Sequence, residues 1–442
     1  MKKLIVILLV LLPLFMRAQT INTIAGIGSG GYSGDNIPAT SAMINLPSGI
    51  ACNDAGYVFF AERLNNRVRK ISPSGIISTV AGTGIAGFSG DGNNATAAQL
   101  NAPTGVAVDT SNNIYIAGHD NNRVRKISAQ TGVISTIAGN GAAFSSGDNG
   151  MATNASIAFA VNVYFSNAGN LFIVDGSDRI RKVGSNGIIS TIAGSGVFGY
   201  GGDGGDATNA KIEACAITVD KDENLFIADW GNGRIRKVDA ATGIIKTFAG
   251  TGTAAYNGDG ISCLSSNIAP FGMKFDDYGD LILADANNNR IRSISPSGTI
   301  NTIAGNGTGG FDGDNGMAAT SEIYNPEGVG VDSCGDIYIA DCFNNRIRKI
   351  TYPYCGYLIT VDPLISPALS IHPNPTNGQL QIDNITTPTN YNLHNIVGTT
   401  LQQGAQKEGS NSISLSALPT GMYLLELIDD EGNRLVRKVV KE

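Results

Sequence analysis

Ala340-Asp-Cys-Phe-Asn-Asn-Arg-Ile-Arg-Lys-Ile350 is the clearest copy of a unit that occurs six times in this 442-residue chain. The anchoring arginines are Arg67, Arg123, Arg179, Arg234, Arg290 and Arg346, separated by 56, 56, 55, 56 and 56 residues. A second unit, Thr-Ile-Ala-Gly-x-Gly, also occurs six times, starting at Thr23, Thr79, Thr136, Thr191, Thr247 and Thr302, with Val80 and Phe248 replacing isoleucine in two copies. A repeat of this length is one supersecondary unit, which buries its apolar face only by stacking on its neighbours.

The second repeat shows what the unit is. Residues 105–109 alternate like a strand, Ser111-Asn112-Asn113 turns, 114–117 is a second strand, 119–122 a second turn, and 123–127 and 133–137 two more strands. Four short strands joined by Asn/Asp/Gly turns form an antiparallel meander. Six such sheets arranged radially make a β-propeller, which leaves only short, protected edges. After the last third strand, Tyr352-Pro-Tyr-Cys-Gly356 carries no Thr-Ile-Ala-Gly; the spare copy lies at the other end, in residues 21–26. The N-terminal strand is therefore expected to complete the last blade from outside. A linear solenoid is the alternative and accounts less well for the displaced copy.

Composition agrees with an all-β, turn-rich chain: 57 glycines and only 15% charged residues. The net charge of −7 argues against a nucleic-acid partner. Residues 1–18 read as a signal peptide, with Lys2 and Lys3 before the apolar run 4–15 and Ala18 before Gln19. The apolar run is too short to span a bilayer and no second one follows, so no membrane span is expected in the mature chain; a retained anchor is the alternative. Six cysteines in an exported chain permit disulfides. Cys52 and Cys215 fall in strand patterns and read as small buried hydrophobes, whereas Cys263 sits in a long loop without an obvious partner. Cys334 and Cys355 fall at the same end of the last blade and are the expected pair, with free thiols throughout as the alternative.

Asn344-Asn-Arg-Ile-Arg-Lys-Ile350, with Gly335-Asp-Ile-Tyr-Ile-Ala-Asp341 before it, resembles the NHL repeat family. The resemblance covers residues 19–352 and implies a six-bladed propeller, a fold that serves mostly as an interaction module and less often as an enzyme. Three copies depart from the pattern: Glu62 replaces the aspartate in blade 1, Gly118 replaces it in blade 2, and the blade 3 turn Gly176-Ser177-Asp178 is one residue short. Residues 368–442, with Ser370-Ile-His-Pro-Asn-Pro-Thr-Asn-Gly378 and Leu418-Pro-Thr-Gly-Met-Tyr423, resemble the type A C-terminal sorting domain of the type IX secretion system. That resemblance implies a small β-sandwich, a partner in the secretion machinery, and export through the periplasm and outer membrane to the cell surface or beyond. Residues 353–367 read as the linker.

The Asp-x-x-Asn-Asn-Arg unit invites a catalytic reading, but an active site rarely appears six times in one ring. Asp175, Asp229, Asp285 and Asp341 are expected to brace the following arginines or cap turn amides. The Gly-Asp aspartates Asp35, Asp91, Asp148, Asp203, Asp259 and Asp314 lie in the long inter-blade loops; bracing is the first reading and calcium binding the second. The loop aromatics Tyr32, Phe88, Phe144, Tyr200, Tyr256 and Phe311 recur too regularly to be specific and are expected to pin each loop to its blade. Zinc chemistry needs several histidines, and the propeller has His119 alone, since His372 and His394 lie in the tail. No catalytic residue or resident cofactor is therefore assigned.

The functional clue is variation on a constant scaffold. Strand directions put the second turn and the long loop on one face, where Trp230, His119, Arg63, Phe343 and Asp120 occupy the variable turn positions. Exposed aromatics are stacking platforms for sugars or peptide side chains. The expectation is an exported binding or scaffold propeller whose ligand is a glycan or a protein. The alternative is a lyase or hydrolase acting on polysaccharide or peptide, with a metal in the central tunnel.

Overall fold

A computed structural model describes residues 19–351 and, further on, 370–441 except for 373–375, 386–387, 396–399, 420 and 430–433. The expected signal peptide, the linker and Cys355 lie outside the described residues. Gln19–Tyr352 forms one compact unit, and the C-terminal residues belong to another.

The first unit consists of six antiparallel sheets. Blade 4 is representative: Ala214–Val219 is innermost, followed by Leu225–Asp229, Arg234–Val238 and Ile245–Ala249. Its second strand, Leu-Phe-Ile-Ala-Asp, is buried throughout because both of its faces meet neighbouring blades, which is why the sequence runs apolar there instead of alternating. The outer strand does alternate, Ile245 and Ala249 inward and Lys246 outward. The core thus lies between blades: Phe226 of blade 4 meets Phe248 and the blade 5 residue Phe275 edge-on, with centroids 5.0 and 4.9 Å away.

The ring closes as the displaced repeat requires. Thr20–Ala25 pairs antiparallel with Arg346–Thr351, Ile21 opposite Ile350, as the outer strand of blade 6. The inner strands then touch their neighbours around a full circle, blade 6 against blade 1 included. A fifth strand was not expected. Ile37–Pro38, Ile261–Ser262 and Gly316–Met317 add short outer edges to three sheets because each long loop runs along the outer strand of the blade it leads into. The loop then makes a short 3-10 turn that buries one small residue: Ala39, Ala95, Ala207, Cys263 and Ala318 are each at most 5% exposed. Cys263 therefore stands in an alanine place.

Cys334 is disulfide-bonded, while Cys52, Cys215, Cys263 and Cys342 are free thiols. The second unit is a sandwich of a three-stranded and a four-stranded sheet, whose shared core includes Leu380, Ile382, Leu393, Ile413, Leu425 and Val439. No helix among the described residues is long and apolar enough to cross a membrane.

Candidate functional site

The repeated polar residues meet at one atom cluster per blade. The second arginine of each Arg-x-Arg (Arg69, Arg125, Arg181, Arg236, Arg292, Arg348) is at most 1% exposed. A guanidinium this deep needs carboxylate partners. The loop aspartates supply one at 2.5–3.0 Å in every blade, from Asp35 through Asp314. Glu62, Asp175, Asp229, Asp285 and Asp341 supply a second at 3.2–3.6 Å. Burial pushes Glu62 up to about 7 and Asp341 up to about 6, against the pull of Arg69 and Arg348. In blade 2, where Gly118 removes the second carboxylate, Asp91 takes both Nε and Nη2 of Arg125, and the Gln99 and Ser89 carbonyls take the rest. All the loop aspartates but Asp314 also accept the hydroxyl of the Thr-Ile-Ala threonine, as Asp203 does from Thr247 at 2.6 Å.

The first arginine holds the loop from outside. Arg346 donates to the carbonyls of Asn344 and Ile27 and lies 3.5 Å over the Phe311 ring. Equivalent stacking joins Arg67 to Tyr32, Arg123 to Phe88, Arg234 to Tyr200 and Arg290 to Tyr256. The second glycine of Gly-x-Gly makes room for that guanidinium: a Cβ on Gly307 would lie 2.2 Å from Arg290 Nη1. These recurring charges and rings are thus committed to the scaffold.

A cavity of about 1570 Å³ lies within the ring of inner strands, and two of the variable positions reach it. Gly49, Gly105, Gly272 and Gly328 let neighbouring inner strands come together there; a Cβ on any of them would lie 2.2–2.8 Å from the next strand. Arg63 and His119 line the mouth, together with Phe271, Glu327 and Cys215. Glu327 is 7% exposed, sits 3.6 Å from Arg63 and accepts from the Cys342 thiol; burial raises its carboxyl, and Arg63 opposes that. His119 Nδ1 lies 2.6 Å from Asp120, and its ring is 5.1 Å from Phe159.

The structure places the sequence-selected residues unequally about this mouth. Trp230, 37% exposed, stands just outside, edge-on to Phe271 at 6.3 Å. Phe343 turns to Tyr324 at 5.1 Å and is not part of the cavity lining. Asp120 reaches the mouth through His119 alone. Sequence reasoning missed Phe159 beside His119, Phe271 beside Trp230, and Asp178 and Glu213 at the junction of blades 3 and 4. The signals for the last two were the single 55-residue spacing and the short turn Gly176-Ser177-Asp178.

Residues 370–442 match the secretion system C-terminal sorting domain family, and residues 86–146 match the teneurin NHL domain family. Chicken Teneurin-1 is 30% identical over 254 residues, which is 50% of this chain and 9% of the teneurin; mouse Teneurin-1 is 30% identical over 235 residues, 47% of this chain and 8% of the teneurin. The chain thus spans under a tenth of the length of these relatives. Two solved propellers from Bacteroides thetaiotaomicron share the fold. One, a structural genomics protein of unknown function, is 20% identical with a TM-score of 0.56, covering 75% of each chain. The other, described as an auxiliary nutrient binding protein, is 16% identical with a TM-score of 0.53, covering 75% of this chain and 76% of its own.

The fold and its repeats define an NHL-type six-bladed β-propeller. The tail adds a type IX sorting domain, so this is an exported protein destined for the cell surface or the medium.

Proposed function

We propose that the propeller is a non-catalytic binding module that takes a glycan or a protein across the face bearing Arg63, His119, Asp120, Trp230 and Phe343. One observation carries this reading. The buried and stacking residues repeat from blade to blade, while the second turns vary, and that variation puts an exposed tryptophan and the lone propeller histidine near one cavity mouth. A binding role for a related fold in Bacteroides supports it. A glycan and peptide array probed with the protein tests it: Trp230→Ala is expected to abolish the hit, and a hit that survives Trp230→Ala and His119→Ala moves the site off this face.

A lyase or hydrolase is the second reading, favoured by the His119–Asp120 pair at the cavity mouth. Stoichiometric zinc or calcium in purified protein, or turnover lost in His119→Ala, would raise it above the first.

A further inference from the structure

The junction between blades 3 and 4 breaks a rule kept at four others. In those four, a left-handed asparagine accepts an amide hydrogen from the next blade: Asn66 from Ala102, Asn122 from Phe159, Asn289 from Asn325 and Asn345 from Leu46, at 2.9–3.0 Å. After blade 3 the left-handed residue is Asp178, at φ 59°. The loop that follows is short: Gly194 to Ala214 is 20 positions, as is Gly250 to Pro270 after blade 4, against 21 from Gly82 to Pro103. Glu213 fills the gap. Its backbone N–H donates to Asp229, and its carboxylate folds over Gly231, where a Cβ would lie 1.5 Å from Oε2.

Among the described residues neither Asp178 nor Glu213 takes a side-chain hydrogen bond or an ion pair. Arg179, next in sequence to Asp178, spends its guanidinium on the Ser177 and Ser195 carbonyls. Burial and then the charges of Asp178 and Asp229 raise the Glu213 carboxyl, so the two acids oppose one another. The loop between them is tied to Asp178 through the Gly196 amide and to the blade 4 turn through Asn232, which donates to Gly199 at 2.8 Å. It carries Phe198, 68% exposed, next to the Gly199 that Asn232 holds, while Phe144 and Phe159 are exposed on the blade 3 side.

We propose that this arc docks a protein segment carrying a lysine or arginine, its cationic head between Asp178 and Glu213 and its stem along Trp230 and Phe198. The patch is apolar with an acidic centre in which the Arg179 charge offsets Asp178 but not Glu213, which is the complement of such a side chain: a long aliphatic stem with a positive tip. A neutral sugar would cover the rings and leave the two carboxylates opposed. The inference rests on the binding reading above and names its ligand class.

The test uses the full chain on a peptide array, with lysine and arginine compared to glutamine at matched positions, and on a glycan array. The expected result is a preference for the basic peptides that weakens with salt and drops about tenfold in Glu213→Gln and Asp178→Asn. Because Glu213→Gln relieves repulsion from Asp178 and Asp229, its melting temperature is expected to hold or rise; a fall would contradict the unsatisfied acid. Equal binding of the glutamine peptides, or unchanged affinity in both acid variants, overturns the proposal. Binding confined to glycans, lost in Trp230→Ala and kept in Glu213→Gln, overturns it and leaves the binding module standing. No binding on either array overturns both.

Discussion

Blade 6 and blade 3 share a frame and differ in one turn. In blade 6, Asn344 donates to Asp341 and to the Gly310 carbonyl, Arg346 stacks on Phe311, and Arg348 is held by Asp314 and Asp341. Blade 3 keeps the buried part, with Arg181 between Asp148 and Asp175. It lacks the asparagine that would reach the loop; Ser177 turns to Asp175 instead, and Ser145 accepts from Arg181 Nη1 at 2.8 Å. Phe144 then stands 58% exposed, against 39% for Phe311. The difference separates what the fold requires from what it can release. A buried guanidinium must keep its carboxylates, whereas the outer pin can be given up and its ring presented to solvent.

The largest expected effect concerns the buried part. In blade 2, Asp91 is the one carboxylate paired with Arg125, so Asp91→Asn should cost about 3 kcal/mol by denaturant unfolding. Asp314→Asn leaves Asp341 on Arg348 and should cost about 1 kcal/mol. Equal losses would break the claim that the paired acids share the load. Next comes the pin: Phe311→Ala should cost about 1–2 kcal/mol through lost stacking and packing. Phe144→Ala should fall within about 0.5 kcal/mol, as a surface change does. Comparable losses would erase the distinction between the two blades.

The smallest effect is one of pH. Glu62, at about 7 in the fold, and Asp341, at about 6, lie above their ordinary values of 4.5 and 3.8. Between the ordinary and folded values the folded state keeps protons that the unfolded chain has released, so stability should fall as pH rises through roughly 5 to 7. Glu62→Gln should flatten part of that slope, a change of about 1 kcal/mol in unfolding free energy across the window.

Much of this was legible in the sequence. The arginine spacing and the displaced Thr-Ile-Ala-Gly copy led to six blades and to the N-terminal closing strand, because period and strand pattern are local properties. The strand and loop aspartates both read as braces. That they brace one guanidinium was hidden, since Asp203 and Arg236 lie 33 residues apart and meet only after the loop folds back. The ring pins were read correctly where an arginine stacks on them and missed at Phe144, although the short turn at Gly176-Ser177-Asp178 was in view. Glu213 escaped because a deletion of one residue acts through geometry: it withdraws a backbone amide and puts a carboxylate in its place. Phe343 was selected by its position in the repeat, and its ring turns to Tyr324.

The most direct measurement pairs Trp230→Ala with Phe311→Ala and reads both melting temperature and affinity for the array-selected ligand. The account predicts that Trp230→Ala loses binding at unchanged melting temperature, while Phe311→Ala lowers the melting temperature and keeps binding. The reverse pattern, or loss of both properties in both variants, would contradict the division between a repeated scaffold and a recognition arc on blades 3 and 4.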